Sequence, residues 1–456
     1  MRFSQLISLW LFSPFFFWNM SLFAVEPPNR KVLTFDEALK TAVNQSLDQK
    51  RAILARDLAV IDKDIVDYES NPKLTFQSTW SDRYSEVDSS KKTGSSGGSS
   101  NQETRDQNYS LQFNYQLYDF GRHSKKLEGA ELQIRIKELS STEVTELLKW
   151  KLARAYNAAL SAIRSREIVR EQLTISESKL REQKSNYEHG LRPESDVVSA
   201  EIDLGRVRLS LEKAESDEIN AKRQLLFFMG WMTDATKPSP ADDLIAVNTL
   251  SLPRSSLNMR SPEQWVFMIK NWKNFEPSES QKRRKVEMAA LTTERASVEA
   301  SKLPTLSLGV GAQESGSWQP LKPIYSGQLQ LSWDIPWNGM LRDERERIAR
   351  KSRDLDLQED LEVKARAEKL QLAKDQLETL SRQWRFLKNQ ESLLKRQQVL
   401  VKQRYDAGKA TAFELSTIDN DAINVRLDII KLASSEANAV IDLAEALAIS
   451  DVKMLF

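Results

Sequence analysis

The chain has 456 residues, in which 66 Lys and Arg balance 65 Asp and Glu. A chain without a strong overall charge has no bulk field to attract nucleic acid, so nucleic acid is not expected as a partner. Cysteine is absent, which excludes disulfides, thiolate catalysis, Cys-ligated zinc and lipid attachment at an N-terminal cysteine.

Residues 1–24 have the pattern of a secretory signal peptide. A basic residue precedes a largely apolar run over residues 6–17, and Ala24 is a small residue suited to cleavage. The alternative is an uncleaved membrane anchor, but Pro14 and Asn19 interrupt the apolar segment. The pattern therefore predicts cleavage, with a mature chain that begins at Val25.

A first structural repeat, residues 25–229, is predicted to hold a helix, two strands, a long helix and a shorter helix. Thr34 and Glu37 have the spacing of a capping box at the start of the first helix, and Pro72 stops that helix. Alternating apolar and polar residues then predict two strands joined by a polar Gly/Ser-rich loop. The elements are a helix over 35–68, strands over 73–81 and 108–118, a long helix over 122–187 and a helix over 194–229.

A proline-rich connector, residues 230–261, separates this repeat from a second one, residues 262–450. The first helix of the second repeat begins at Pro262, is interrupted near Pro277 and ends before Pro304. The later elements are strands over 305–313 and 325–336, a long helix over 341–406 and a last helix that ends near Ala448. Residues 451–456 form a C-terminal tail.

Corresponding landmarks of the two repeats differ by one constant offset in residue number, which we call the repeat offset. The same offset separates Leu111 from Leu329, Gly121 from Gly339, Tyr187 from Tyr405, and Gly190 from Gly408. The earlier prolines, Pro72 and Pro304, lie further apart than this, and the Gly/Ser-rich loop accounts for the surplus. Both long helices carry apolar seams with coiled-coil spacing. The predicted helices over 35–68 and 194–229 together match the length of the long helix over 122–187, which favours a wall of parallel helices.

The predicted strands alternate over roughly 9–11 residues, the length at which a tilted strand crosses a bilayer. Aromatic residues lie at or near the strand ends, as in a membrane girdle: Trp80, Tyr109, Trp333 and Trp337. Four strands cannot close a barrel alone, and open edges are not tolerated in lipid, so a membrane sheet requires several chains. Three chains would supply twelve strands. The alternative is a small soluble sheet attached to a coiled coil.

Three motifs, together with the duplicated layout, give the sequence a resemblance to a known family. The motifs are Leu33-Thr34-Phe35-Asp36-Glu37-Ala38, Leu117-Tyr118-Asp119-Phe120-Gly121, and the turn Tyr187-x-x-Gly190-Leu191 followed by Asp196. Through them the chain resembles the TolC-like outer-membrane efflux and secretion proteins over essentially its whole mature length. The resemblance implies a mainly α fold with a membrane β-barrel portion. It implies a homotrimer whose 12-stranded barrel lies in the outer membrane of a Gram-negative bacterium and continues as a helical coiled-coil tunnel in the periplasm.

The same resemblance implies a function and partners. The function is that of a duct in a multi-component efflux or type I secretion system, and the partners are outer-membrane lipid, a periplasmic adaptor protein and an inner-membrane transporter. The turns at the periplasmic tip would dock the adaptor through Tyr187, Gly190, Leu191, Tyr405 and Gly408. The second turn departs from the family pattern, because Lys409-Ala410 follows Gly408 and Thr417 replaces an acidic gate residue.

Asp196 and Glu414 each lie six residues after a turn glycine, so the duplication gives them equivalent positions. The resemblance implies that they line or flank a gate at the tip. The alternative is that they only stabilise the N-termini of the returning helices, where an acidic side chain contributes about 0.3–1 kcal/mol.

No catalytic group of residues is recognisable in the sequence. The two histidines, His123 and His189, lie at opposite ends of a predicted long helix, which disfavours a shared metal site or a histidine-based triad. We therefore expect neither enzyme activity nor a metal or cofactor. The alternative to a duct is a periplasmic coiled-coil scaffold, and the sequence leaves the cargo and the class of pump open.

Overall fold

The structure, a computed structural model, describes residues 33–87, 100–231, 252, 277–316, 322–333 and 339–449. The predicted signal peptide, the middle of the Gly/Ser-rich loop, most of the connector, the helix start at Pro262, Trp337 and the C-terminal tail lie outside the described residues. The helices are α1 Phe35–Gln45, α2 Leu47–Tyr68, α3 Arg122–Glu188, α4 Glu194–Phe228, α5 Glu279–Ala300, α6 Met340–Asp406 and α7 Ala412–Ala446. The strands are β1 Lys73–Val87, β2 Ser100–Tyr118, β3 Thr305–Gly316 and β4 Lys322–Ser332.

The helices repeat in length. The long helices α3 and α6 have 67 residues each, α4 and α7 have 35, and α2 and α5 have 22. At about 1.5 Å per residue, each long helix extends roughly 100 Å. The repeat offset converts α3 into α6 and α4 into α7, and the larger spacing between Pro72 and Pro304 converts α2 into α5. Of the described helices, none combines the length and the apolar character needed to cross a membrane.

The structure divides the predicted helix over 35–68 into α1 and α2 at Ser46. Ser46 leaves the helical conformation, and its hydroxyl accepts a hydrogen bond from the backbone N–H of Gln49, which caps α2. Gly230, just past the end of α4, lies against Gln45 so closely that a Cβ at this glycine would be 2.9 Å from the Gln45 backbone. The break between α1 and α2 therefore lies beside the end of α4.

The strands are also longer than predicted, with one exception. β1 and β2 pair beyond the predicted ends at 81 and 108, as far as Val87 opposite Ser100. β3 likewise passes 313 and ends at Gly316. The strand predicted over 325–336 corresponds to β4, which begins earlier, at Lys322, and ends at Ser332, whereas residues 334–336 lie outside the described part of the chain. Trp333 lies past the strand, and its indole N–H donates a hydrogen bond to the carbonyl of Lys302 at 2.9 Å.

The four strands form one antiparallel sheet in the order β1-β2-β3-β4, which leaves β1 and β4 as its edges. The register aligns the alternating side chains of all four strands, so that the sheet has one apolar and one polar face. The apolar face carries Leu74, Phe76, Trp80, Tyr109, Leu111, Phe113, Tyr115, Leu306, Leu308, Val310, Ala312, Tyr325, Leu329 and Leu331, and it also includes Ser78, Gln107 and Glu314. The polar face carries Thr75, Gln77, Thr79, Ser110, Gln112, Asn114, Gln116, Ser307, Gly309, Gly311, Gln313, Ser326, Gln328 and Gln330.

Helix α3 lies at the centre of the helical part. In the half next to the sheet, α3 packs between α2 and α5, and α5 packs on α6. In the other half, α3 packs between α4 and α7, and α7 packs on α6. The largest apolar core lies where these neighbours change, around Leu152 and Tyr156 of α3, with Phe35 of α1 and Leu225 of α4. The outer helices are therefore α2 and α6 in the half next to the sheet, and α4 and α6 in the other half.

The chain alone exposes far more surface than a compact protein of its mass. Its accessible surface is 32068 Å², whereas a compact 52.3 kDa protein would expose about 17,500 Å². Exposed large apolar side chains of the described helices are concentrated on the outer helices: Leu47, Leu54, Leu58, Ile61 and Ile65 on α2, Val198, Ile202, Leu209 and Phe227 on α4, and Leu357, Leu361, Leu372, Phe386, Leu393 and Leu400 on α6.

Candidate functional site

Both long helices end in the same kind of turn, at the end remote from the sheet. Gly190 and Gly408 each have a φ of +71°, a left-handed conformation that favours glycine. The N–H groups of the next residues, Leu191 and Lys409, donate to the carbonyls of Asn186 and Arg404 at 2.8 and 2.7 Å, which is the Schellman arrangement. The α3–α4 and α6–α7 segments are therefore two hairpins, and we call their turns, with the adjoining helix ends over residues 183–203 and 398–419, the tip.

Asp196 and Glu414 occupy equivalent positions at the tip. Each is the third residue of its helix, α4 or α7. The hydroxyl of Thr411 accepts a hydrogen bond from the backbone N–H of Glu414 at 3.2 Å, so Thr411 rather than the Glu414 carboxylate caps α7. Within the described residues, neither carboxylate has a hydrogen bond or ion pair inside the chain. Both carboxylates are therefore available to other groups.

The residues predicted to dock a partner differ between the two turns. Tyr187 and Leu191 are exposed at the first turn. Tyr405, the counterpart of Tyr187, is only 5% exposed, and its hydroxyl donates to the Oε1 of Gln183 at 2.9 Å. The first turn therefore offers a tyrosine and a leucine to solvent, whereas Tyr405 is enclosed between the hairpins.

Arg192 joins the two hairpins at the tip. Its guanidinium donates from Nη2 to the backbone carbonyl of Tyr405 at 2.7 Å. The same guanidinium lies 4.2 Å from the centre of the Tyr405 ring, within the range of a cation–π interaction. A single arginine of the first hairpin therefore contacts both the backbone and the side chain of the second.

A second set of contacts joins the hairpins further from the turns. Asp419 of α7 is ion-paired with Lys179 of α3 and accepts a hydrogen bond from Nε2 of Gln398 in α6 at 2.9 Å. Asp203 of α4 accepts a hydrogen bond from the hydroxyl of Ser416 in α7. Sequence reasoning missed both aspartates, because an acidic residue on a helix surface is ordinarily solvated. The one signal in the sequence was that each lies within a few helical turns of a turn glycine.

The two histidines are not brought together. His123 lies at the start of α3 and His189 follows its last residue, where His189 Nδ1 is 2.6 Å from the carbonyl oxygen of Ser185. Among the described residues there is no cluster of His, Cys, Asp and Glu that could hold a metal ion.

Glu436 of α7 is a buried acid without the partners of its counterpart. It is 6% exposed, between Leu432 and Val440 on the face that packs on Leu377 of α6. Burial raises the pKa of Glu436 to about 7.

The counterpart in the first repeat, earlier in the chain by the repeat offset, is Glu218. Glu218 is ion-paired with Lys222 at 2.8 Å and with Arg166 at 3.0 Å. The second repeat has Val440 and Trp384 at the corresponding positions. The acidic residue is therefore buried in both repeats, but in the second repeat apolar residues occupy the positions of its two basic partners.

Comparison with known proteins finds a family model that resembles the first repeat. Residues 38–230 match the family model described as outer membrane efflux protein. No curated protein sequence matches the chain.

Solved structures extend the similarity to both repeats. The CmeC outer membrane channel of Campylobacter jejuni is 14% identical, with a TM-score of 0.71, over 91% of this chain and 85% of that one. The outer membrane protein VceC of Vibrio cholerae is 14% identical, with a TM-score of 0.69, over 91% and 95% of the two chains. The MtrE outer membrane channel of Neisseria gonorrhoeae, in its open state, is 14% identical, with a TM-score of 0.66, over 91% and 88%. The expected TolC-like fold of the efflux protein family, a mainly α chain with a strand portion, is confirmed.

Proposed function

We propose that the chain is the outer-membrane duct of a multi-component efflux or type I secretion system, and that it works as a homotrimer. The sheet carries the proposal. It has an apolar face suited to lipid and a polar face suited to a water-filled lumen. The outer edges of β1 and β4 pair with no strand in the described part of the chain, and unpaired backbone groups are not tolerated in lipid. Three copies joined edge to edge would close a 12-stranded barrel.

The helical part supports the same assembly. One edge of the layer consists of α2 and α4, with 22 and 35 residues, and the other edge consists of α6, whose 67 residues extend past those two helices together. In a ring, α6 of each copy would pack on α2 and α4 of the next. This packing would cover the apolar side chains that the isolated chain exposes, and apolar burial is the main driving force for such association.

The tip is the part of the duct that would meet partners. It lies roughly 100 Å from the sheet along α3, a distance that would carry it well into the periplasm when the sheet is in the outer membrane. Tyr187 and Leu191 would contact a periplasmic adaptor there, and the adaptor would link the duct to an inner-membrane transporter. Asp196 and Glu414 of three copies would flank the opening as a gate.

Fractionation and conductance test the proposal. We expect the protein to leave outer-membrane fractions only in detergent, to have the mass of three mature chains, and to conduct ions in planar bilayers. Release by osmotic shock as a non-conducting protein would instead support the coiled-coil scaffold. Co-purification after crosslinking at Leu191 would then identify the adaptor.

A further inference from the structure

We propose that the contact between the two repeats inside one chain recurs between neighbouring chains, and that it specifies residue by residue which side chains meet at the subunit interface. The inference rests on the homotrimer proposed above. In a ring of duplicated chains, the first repeat meets the second within a chain, and the second repeat meets the first repeat of the next chain. Because α3 corresponds to α6 and α7 corresponds to α4, the α3–α7 contact is the template for contact between α6 and α4 of a neighbour.

The template contact is well defined over about half of α3. Arg154 of α3 is ion-paired with Asp442 at 2.6 Å and with Glu445, both on α7. Further along, Glu171 of α3 is ion-paired with Arg426 of α7 at 3.1 Å. The residue numbers rise on one helix as they fall on the other, so the two helices pack antiparallel with a fixed register.

The repeat offset carries this register to the outer helices. The pair Arg154 and Glu445 becomes Leu372 of α6 and Phe227 of α4. These two side chains are 59% and 56% exposed in the isolated chain. An ion pair inside the chain thus corresponds to two large apolar side chains that only a second copy of the chain would cover.

A polar cluster gives a second, independent correspondence. Asn157 of α3 is fully buried, and its Nδ2 donates to the carbonyl of Ser434 and to Oδ1 of Asn438, each at 2.9 Å. The equivalents of Ser434 and Asn438 on α4 are again a serine and an asparagine, Ser216 and Asn220. The equivalent of Asn157 on α6 is Asp375, whose carboxylate can accept hydrogen bonds from both. The neighbouring chain would therefore pair Asp375 with Ser216 and Asn220.

The same construction closes the sheet. Leu111 of β2 lies opposite Ala312 of β3 on the apolar face. The repeat offset relates Leu111 to Leu329 on the edge strand β4. The larger spacing between Pro72 and Pro304 relates Ala312 to Trp80 on the edge strand β1, and both Leu329 and Trp80 are exposed. The edges of adjacent copies would meet with Leu329 opposite Trp80, which keeps the apolar faces of the two sheets continuous.

Cysteine crosslinking tests the interface, because the natural chain contains no cysteine. Two matched double variants place cysteines at proposed partners: Leu372→Cys with Phe227→Cys, and Asn389→Cys with Arg208→Cys, the latter being the equivalents of Glu171 and Arg426. Two swapped variants, Leu372→Cys with Arg208→Cys and Asn389→Cys with Phe227→Cys, use the same four positions but separate the cysteines by roughly 25 Å along the helices. A disulfide requires Cα atoms within about 7 Å, so the matched and swapped pairs are distinguishable.

The expected result is that mild oxidation converts both matched variants into covalent trimers on denaturing gels, whereas the swapped variants stay monomeric. If all four variants form conducting trimers but the matched pairs crosslink no better than the swapped ones, the interface is wrong and the proposed duct is unaffected. If the chain is monomeric in detergent, the duct and the interface are both overturned.

Discussion

Arg192 of the first hairpin donates a hydrogen bond to the backbone carbonyl of Tyr405 in the second hairpin at 2.7 Å, and its guanidinium lies over the Tyr405 ring. Because the acceptor is the backbone carbonyl of Tyr405, replacing the Arg192 side chain removes the hydrogen bond and leaves the Tyr405 residue itself unchanged. The two hairpins form the proposed gate, which makes Arg192 the contact to test first.

Replacing Arg192 with alanine is expected to loosen the tip. A hydrogen bond from a charged donor contributes about 1.5–3 kcal/mol, and its loss leaves the bond from the Tyr405 hydroxyl to Gln183 as the remaining hydrogen bond between the hairpins at Tyr405. We expect a higher single-channel conductance in planar bilayers with the trimer still assembled. Arg135→Ala is the control, because Arg135 is exposed and its ion pair, with Glu138 at 2.8 Å, lies within α3. Equal conductance in the two variants would show that the Arg192 contact does not restrict the opening.

Removing the carboxylates of Asp196 and Glu414 is expected to lower cation selectivity. Three copies would bring six carboxylates to one opening, and a ring of acidic side chains favours cations. We expect Glu414→Ala to shift the reversal potential in a salt gradient towards zero selectivity, and the double variant with Asp196→Ala to shift it further. An unchanged reversal potential in the double variant would leave these residues only a stabilising role at helix N-termini, about 0.3–1 kcal/mol each.

Glu436 is expected to make the stability of the protein depend on pH. The pKa of Glu436 is raised to about 7 in the fold, above its ordinary value of 4.5, so the folded state holds a proton that the unfolded state has released. The free energy of unfolding should therefore fall as the pH rises from about 4.5 to 7, by up to about 3 kcal/mol.

Two variants isolate this contribution of Glu436. Glu436→Gln should remove the pH dependence and stabilise the protein at pH 8. Val440→Lys would supply the basic partner that Glu218 has in Lys222, and should weaken the pH dependence by lowering the pKa of Glu436. Denaturant titrations at pH 5 and pH 8 would measure both effects, and a pH dependence that Glu436→Gln leaves intact would assign it to another group.

Adjacent residues of β2 are expected to respond oppositely to a charge. Phe113 lies on the apolar face and Gln112 on the polar face. An arginine facing lipid near the bilayer midplane costs about 2–4 kcal/mol, whereas lumen positions tolerate charge. Phe113→Arg should therefore reduce the yield and thermal stability of the trimer in outer membranes, and Gln112→Arg should leave them near wild type. Equal losses in both variants would contradict the assignment of the two faces.

The connection between β1 and β2 is expected to face the cell exterior. β1 ends at Val87 and β2 begins at Ser100, at the end of the sheet remote from the helices. An epitope inserted between Ser89 and Gln102 should bind antibody on intact cells without loss of export. Binding only after the outer membrane is made permeable would reverse the proposed orientation.

The long helices were predictable from the sequence because their causes are local. Proline is absent from both, and a left-handed glycine ends each of them, so their ends were predicted to within one residue. The break at Ser46 was not predictable, because the apolar pattern continues through it. Its structural context is Gly230 against the backbone of Gln45, a contact between residues far apart in sequence.

The tip was predictable in part. The turn glycines and the equivalence of Asp196 and Glu414 follow from counting residues in the two repeats. The contacts of Arg192, Asp203 and Asp419 do not, because each joins two hairpins and these residue types also cover any solvated helix. The duplication even misleads at Tyr405, which is enclosed between the hairpins although Tyr187, at the equivalent position, is exposed.

The equal lengths of α3 and α6, and of α4 and α7, constrain how proteins of this design can vary in reach. All four helices meet at one tip, so extra residues in a single hairpin would leave the two turns at different heights. A longer or shorter tunnel requires the same change in both hairpins, on the descending and the returning helix alike. Steps of seven residues, about 10.5 Å, keep the apolar seams facing each other. The gap that such a protein can bridge is therefore set in coordinated increments, and small independent insertions belong in the loops.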